Sequence, residues 1–211
     1  MTKKLIIFAT YEEAEPSLKK LNAQPVLDSV ISHRKRGNLP ICYNIDQGLI
    51  VLANIGIHAA QHAVSRYHFG CDEILNIGIA GALSKNFSIG TMIEIEKIGK
   101  HVFYPKDLDN TSKNIVQRTI PSFTLQGKGG RLISSDFPVH HSEQKELLSQ
   151  HWDLIDMEGY GVVYAATKFG KPCRLWKIVS DFSSEGGRKL IQKHQQTLAK
   201  KIAIFLFDIL N

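Results

Sequence analysis

The chain has 211 residues, of which 43% are hydrophobic and 22% charged, values that exclude a disordered tail, a collagen and a coiled-coil rod. Its formal net charge of +6 is only mildly basic, so nucleic-acid binding would need a concentrated patch rather than a sum. Three cysteines, Cys42, Cys71 and Cys173, lie far apart without a C-x-x-C pair, which argues against a disulfide framework and for a reducing cytoplasm.

Leu5 to Ala9 is a continuous apolar run with polar flanks and reads as a buried strand. It is too short for the core of an export signal. Thr10 to Leu21 reads as a helix with Thr10 at its N-cap, and Thr10-x-x-Glu13 matches a capping box. Ile41–Ile45 and Leu49–Ala53 flank Asp46-Gln47-Gly48, a hairpin signature. Ile57 to Phe69 is expected to be helical, with His58 and His62 as exposed face residues. Glu73 to Gly78 reads as a second buried strand ending in a glycine turn, and Thr91 to Ile98 as a half-exposed strand.

Residues 101–130 have little periodicity and hold Pro105, Pro121 and Gly127-Lys128-Gly129-Gly130. A loop of that length is expected to be functional or mobile. Strands follow at Arg131–Ser135 and Cys173–Ser180, with helices at Glu158–Phe169, closed by Gly170, and at Gly187–Leu210. The final helix carries Asp208 within its apolar end and is too short in apolar length to span a membrane. Strands alternating with helices predict one α/β domain over 1–211, a three-layer α/β/α unit around a mixed, largely parallel sheet.

Ligands of such sheets gather beyond the carboxyl ends of the strands. Glu12 and Glu13 follow the first strand, and Ile79-Ala80-Gly81-Ala82 the second. Asp156-Met157-Glu158 follow Leu154-Ile155, and Ser180-Asp181 close the last strand. Each has a bland reading: a capping box, helix-start acids, a turn cap, a tight turn. Their co-occurrence at one sheet edge favours a site. The chain lacks G-x-G-x-x-G, a P-loop lysine and a G-x-S-x-G elbow. His58-x-x-x-His62 lacks the glutamate of a metalloprotease, His140-His141 read as surface residues, and His33-Arg34-Lys35-Arg36 reads as a solvated hairpin tip or an anion site.

The order Phe8-Ala9-Thr10-Tyr11-Glu12-Glu13-Ala14, Asn76-Ile77-Gly78-Ile79-Ala80-Gly81-Ala82, Asp156-Met157-Glu158-Gly159 and Val179-Ser180-Asp181 resembles the nucleoside phosphorylase/nucleosidase superfamily over roughly residues 4–208. Within it the chain is most like methylthioadenosine/S-adenosylhomocysteine nucleosidase and futalosine hydrolase. The resemblance implies that Glu13, rather than Glu12, activates water and that Asp181, preceded by Ser180, protonates the departing purine. It places the ribose against Met157 and Glu158 and the base against Phe137, and makes Ile79, Ala80 and Gly81 substrate-binding as well. Methylthioadenosine nucleosidases usually read Gly-Ser-Ala-Gly-Gly at that stretch; Ile79 and Ala82 here look more like futalosine hydrolase.

Such chemistry needs an acid for the base, a carboxylate for water and a clamp on the sugar hydroxyls. It needs no metal and no cofactor. The resemblance implies a small purine nucleoside as substrate, no nucleic acid or membrane partner, and a homodimer, in the cytoplasm that the cysteines indicate. The alternative within the family is a phosphate-dependent phosphorylase, with Arg34, Arg36 and Arg66 as anion candidates. From another class, the alternative is a non-catalytic nucleotide- or RNA-binding module.

Overall fold

The computed structural model describes residues 2–27, 39–84, 86–102, 121–139, 142–184 and 186–211. The basic run 33–36, His140, His141 and most of the 101–130 stretch lie outside these residues.

Strand β1 (Lys4–Phe8) is buried on both faces and sits between β4 (Gly48–Leu52) and β5 (Glu73–Ala82), parallel to each. Its alternation divides the core. Ile6 and Phe8 belong to a cluster with Leu18 of α1 (Tyr11–Lys20) and with Leu198, Ile202, Leu206 and Leu210 of α5 (Gly187–Leu210). Leu5 and Ile7 join Ala60, Ala63 and Val64 of α2 (Ile57–Tyr67) and Val162, Ala165 and Ala166 of α4 (Gly159–Lys168). Residues two apart on a strand share a face, so one five-residue run packs against both helix pairs. The small residues of α2 and α4 allow close approach: a Cβ on Gly161 would stand 2.0 Å from the Ile57 carbonyl oxygen.

The hairpin of β3 (Ile41–Ile45) and β4, with the two-residue β2 (Gln24–Pro25) beside β3, extends the sheet on one side. On the other side the sheet closes on itself. The strands β5, β10 (Cys173–Asp181), β6 (Met92–His101), β8 (Gly130–Ser135) and β9 (Leu154–Asp156) pair in turn, and β9 returns to β5. A third apolar cluster draws on all five, through Ala80, Leu175, Ile95, Leu132 and Leu154. The short β7 (Phe123–Thr124) adds to β6. Helix α3 (Ser142–Ser149) lies between β8 and β9.

The sheet is mixed, with five parallel and five antiparallel strand pairings among the described residues. Two expectations change. Instead of a glycine turn at Gly78, β5 continues to Ala82, because β10 pairs with it through Gly81 and β9 takes up Gly81 and Ala82. Helix α3 was not foreseen: only Leu148 of its eight residues is buried, too little for an apolar stripe.

Candidate active site

The site follows from a split along one edge of β5. Residues 73–76 of that edge pair with β1, and Gly81 and Ala82 pair with β9. Between them β1 turns away into α1, leaving a cleft opposite β10. A pocket of about 170 Å³ occupies it. All nine residues expected at the site line this pocket: Glu13, Ile79, Ala80, Gly81, Phe137, Met157, Glu158, Ser180 and Asp181. One detail of that expectation fails. Because β9 runs antiparallel to β5, Met157 and Glu158 enter from the end of a reversed strand rather than from a common carboxyl edge.

Glu13 lies in the first turn of α1. Thr10 caps that helix, its Oγ1 accepting from the Glu13 backbone N–H at 3.4 Å. The Glu13 side chain is 7% exposed, and its Oε2 is buried without a hydrogen-bond partner among the described residues. A buried, unpaired carboxyl oxygen in a pocket is the group a ligand or water would satisfy. A Cβ on Gly78 would stand 3.0 Å from this oxygen. Burial, then the nearby Glu158, raises the Glu13 carboxyl from its ordinary 4.5 to about 8.

Glu158 closes the start of α4, where its Oε1 accepts from the Gly56 N–H at 3.0 Å. Gly56 has φ 117° and ψ 151°, a conformation that side-chain-bearing residues avoid. It turns Ile55 onto the pocket wall. Glu158 too is raised above the ordinary carboxyl range, by burial and then by Asp156.

Asp181 reaches the pocket through a bulge. Val179 pairs with Ala80 and Asp181 with Gly81, so Ser180 is the extra residue. Bulges re-aim side chains next to sites. The Ser180 hydroxyl is 2.6 Å from Asp181 Oδ1 and 3.2 Å from the Ala80 carbonyl oxygen. The Ser183 N–H donates to Asp181 Oδ2 at 2.8 Å, so the side chain also closes the turn foreseen for it. Lys145 of α3 donates to the Phe182 carbonyl and anchors the same turn. Glycines leave room for the carboxylate: a Cβ on Gly187 would stand 2.7 Å from Asp181 Oδ2. Gly187→Ala is therefore expected to keep the start of α5 folded while displacing Asp181. Turnover should fall at least about tenfold, the loss a misplaced acid can produce, with the melting temperature nearly unchanged. A fully active variant would show that this carboxylate can shift freely.

Lys177 was not foreseen. It lies on β10 four residues before Asp181, is 1% exposed, and forms an ion pair with Asp156 at 2.8 Å. Burial opposes its charge, but Asp156 and Glu158 outweigh that and hold it above the ordinary lysine range. A lone lysine within Cys173-Arg174-Leu175-Trp176-Lys177-Ile178-Val179 was the available signal, since a cation in a buried strand demands a partner.

Phe137 is 67% exposed and Ile55 59% exposed, both at the pocket wall. His58, His62 and Arg66 lie exposed on α2, away from it. Among the described residues no group of three or more His, Cys, Asp or Glu is placed to hold a metal ion, and no helix is long and apolar enough to cross a membrane.

Residues 3–211 match the sequence profile of the Phosphorylase superfamily. An aminodeoxyfutalosine nucleosidase of Helicobacter pylori is 25% identical over 182 residues, 75% of this chain and 79% of the relative. The fold superposes on a methylthioadenosine/S-adenosylhomocysteine nucleosidase of H. pylori bound to butyl-thio-DADMe-Immucillin-A. The TM-score is 0.81 at 22% identity, covering 99% of this chain and 97% of that one. It also superposes on the futalosine hydrolase of H. pylori strain 26695, with TM-score 0.79 at 21% identity, covering 97% and 95%.

Proposed function

Because the chain belongs to the phosphorylase superfamily, we propose that it is a purine-nucleoside N-ribosyl hydrolase acting on a 5′-modified nucleoside, such as aminodeoxyfutalosine, futalosine, methylthioadenosine or S-adenosylhomocysteine. The observation that carries this reading is the meeting of Glu13, Glu158 and Asp181, from three separate elements, in one pocket.

Breaking the N-ribosidic bond builds positive charge on the sugar and negative charge on the base. Phe137 stacks on the purine, and Ile79, Ala80 and Gly81 form the wall beside it. Met157 packs on the ribose as an adaptable apolar surface. Glu158, fixed by the Gly56 N–H through one oxygen, takes the ribose hydroxyls with the other and stabilises the developing cation. Glu13 accepts a proton from the attacking water through its unpartnered Oε2. Asp181, oriented by Ser180, gives a proton to the leaving base. No metal or cofactor has a part in these steps.

The phosphorylase alternative requires a phosphate dianion where water attacks. Glu13, Asp156 and Glu158 crowd that region, and Lys177, the one buried lysine among the described residues, is already paired. Like charges disfavour the anion there, and Ile79 supplies no hydroxyl to it. A binding-only module would have no use for an unpartnered carboxyl beside an oriented acid.

Residues 1–211 are read as a single three-layer α/β/α domain. The exposed Ile55 and Phe137 beside the pocket support a homodimer that covers them, and Cys42, Cys71 and Cys173, none of them in a disulfide, support a cytoplasmic setting. The test is release of free base from a panel comprising the four nucleosides above and inosine. A 5′-modified substrate should turn over fastest, and no turnover on any member would refute the reading.

A further inference from the structure

Burying an unpaired ammonium is costly, so the partners of a buried lysine show what it is for. Asp156, which holds Lys177, is a hub. Its Oδ2 also accepts from the Gly159 N–H at 2.8 Å, and its Oδ1 accepts from the Ser134 hydroxyl. The Ser134 oxygen in turn accepts from the Tyr160 N–H at 2.8 Å. The first free amides of α4 are thus tied to β8 and β9, and Glu158 lies in sequence between these anchors.

Lys177 also approaches Glu13. A Cβ on Gly78 would stand 3.0 Å from Glu13 Oε2 and 3.7 Å from Lys177 Nζ. The charged groups acting on this centre are Glu12 and Glu13 from α1, Asp156 and Glu158 from β9 and its end, and Lys177 from β10. Here β5 contributes Gly78, and β8 the Ser134 hydroxyl. One ammonium therefore serves three buried carboxyl groups, and it lies behind the pocket wall rather than on it.

We propose that Asp156 and Lys177 are positioning residues: their ion pair fixes the start of α4 that presents Glu158, and divides one positive charge among Asp156, Glu13 and Glu158, so that it governs how readily the two glutamates ionise. The proposal rests on the nucleosidase reading only where turnover is measured. The two partners act in opposite directions. Lysine favours ionised glutamates; Asp156 competes for that lysine and adds a like charge.

The experiment compares wild type, Lys177→Met, Lys177→Arg and Asp156→Asn by carboxyl-carbon NMR titration of the ligand-free protein and by the pH profile of kcat/KM. Lys177→Met is expected to raise the glutamate midpoints, and with them the acid limb of the profile, by at least about one pH unit. Lys177→Arg should bring both back towards wild type. Asp156→Asn should move both downward. If Lys177→Met does not fold, the downward shift in Asp156→Asn decides alone: its presence supports the proposal and its absence overturns it. Activity lost with midpoints unmoved would leave the pair a purely structural part and overturn it too. The NMR arm needs no turnover, so a chain inactive on every nucleoside would sink the nucleosidase reading without touching this one.

Discussion

Asp181→Asn is expected to bind a purine nucleoside and cleave it at least about a hundredfold more slowly, with the loss in kcat exceeding any change in KM. That is the usual scale for a positioned general acid. Asparagine keeps an oxygen for the Ser180 hydroxyl or the Ser183 N–H, which now hold the two carboxyl oxygens, so the turn should persist. It has no proton to deliver to the base. The defect should therefore shrink on a nitrophenyl riboside, whose leaving group departs unprotonated. Equal losses on both substrates, in a folded variant, would make Asp181 a group that orients the nucleoside rather than the acid.

Glu13→Gln should lower kcat by at least roughly a hundredfold and stabilise the protein at the same time. Thr10 caps α1 through the backbone N–H of residue 13, which the substitution retains. The stability gain has a sign fixed by the raised carboxyl. With about 8 in the folded chain against an ordinary 4.5, the folded state holds this proton more tightly than the unfolded one. Wild-type stability therefore falls as pH rises through that window, on the order of 1 kcal/mol per pH unit. Glutamine removes the dependence, so the difference in melting temperature should widen between pH 5 and 8 and vanish below it. Wild-type kcat/KM should rise with pH through about 8 as Glu13 ionises. A variant that turns over normally would pass the water-activating role to Glu12 or to no side chain.

Local signals carried much of this molecule. The continuous apolar run Leu5–Ala9, the Asp46-Gln47-Gly48 turn and the apolar spacing of Gly187–Leu210 depend on neighbours a few residues away, and the corresponding elements formed. Eight of the nine expected residues were legible as strand-end motifs in a family order, and Phe137 only through the resemblance itself. What the chain could not announce was long-range. Closure of β9 onto β5 joins residues about seventy apart, and it turns the Gly78–Ala82 stretch from a turn into strand. The bulge at Ser180 exists only relative to β5. Lys177 was visible as an oddity, but its partner Asp156 had already been assigned to a helix start, and only the pairing of both β9 and β10 with β5 brings them together. Helix α3 hides because one buried leucine leaves no stripe to read.

The central claim is that water, not phosphate, takes the sugar. The most direct measurement follows the sugar product by proton and phosphorus NMR, using the fastest substrate of the panel with and without inorganic phosphate. The three carboxyl groups around the paired, buried Lys177 predict the same rate in both and a free ribose derivative as the product. A ribose 1-phosphate, or turnover that requires phosphate, would contradict the account.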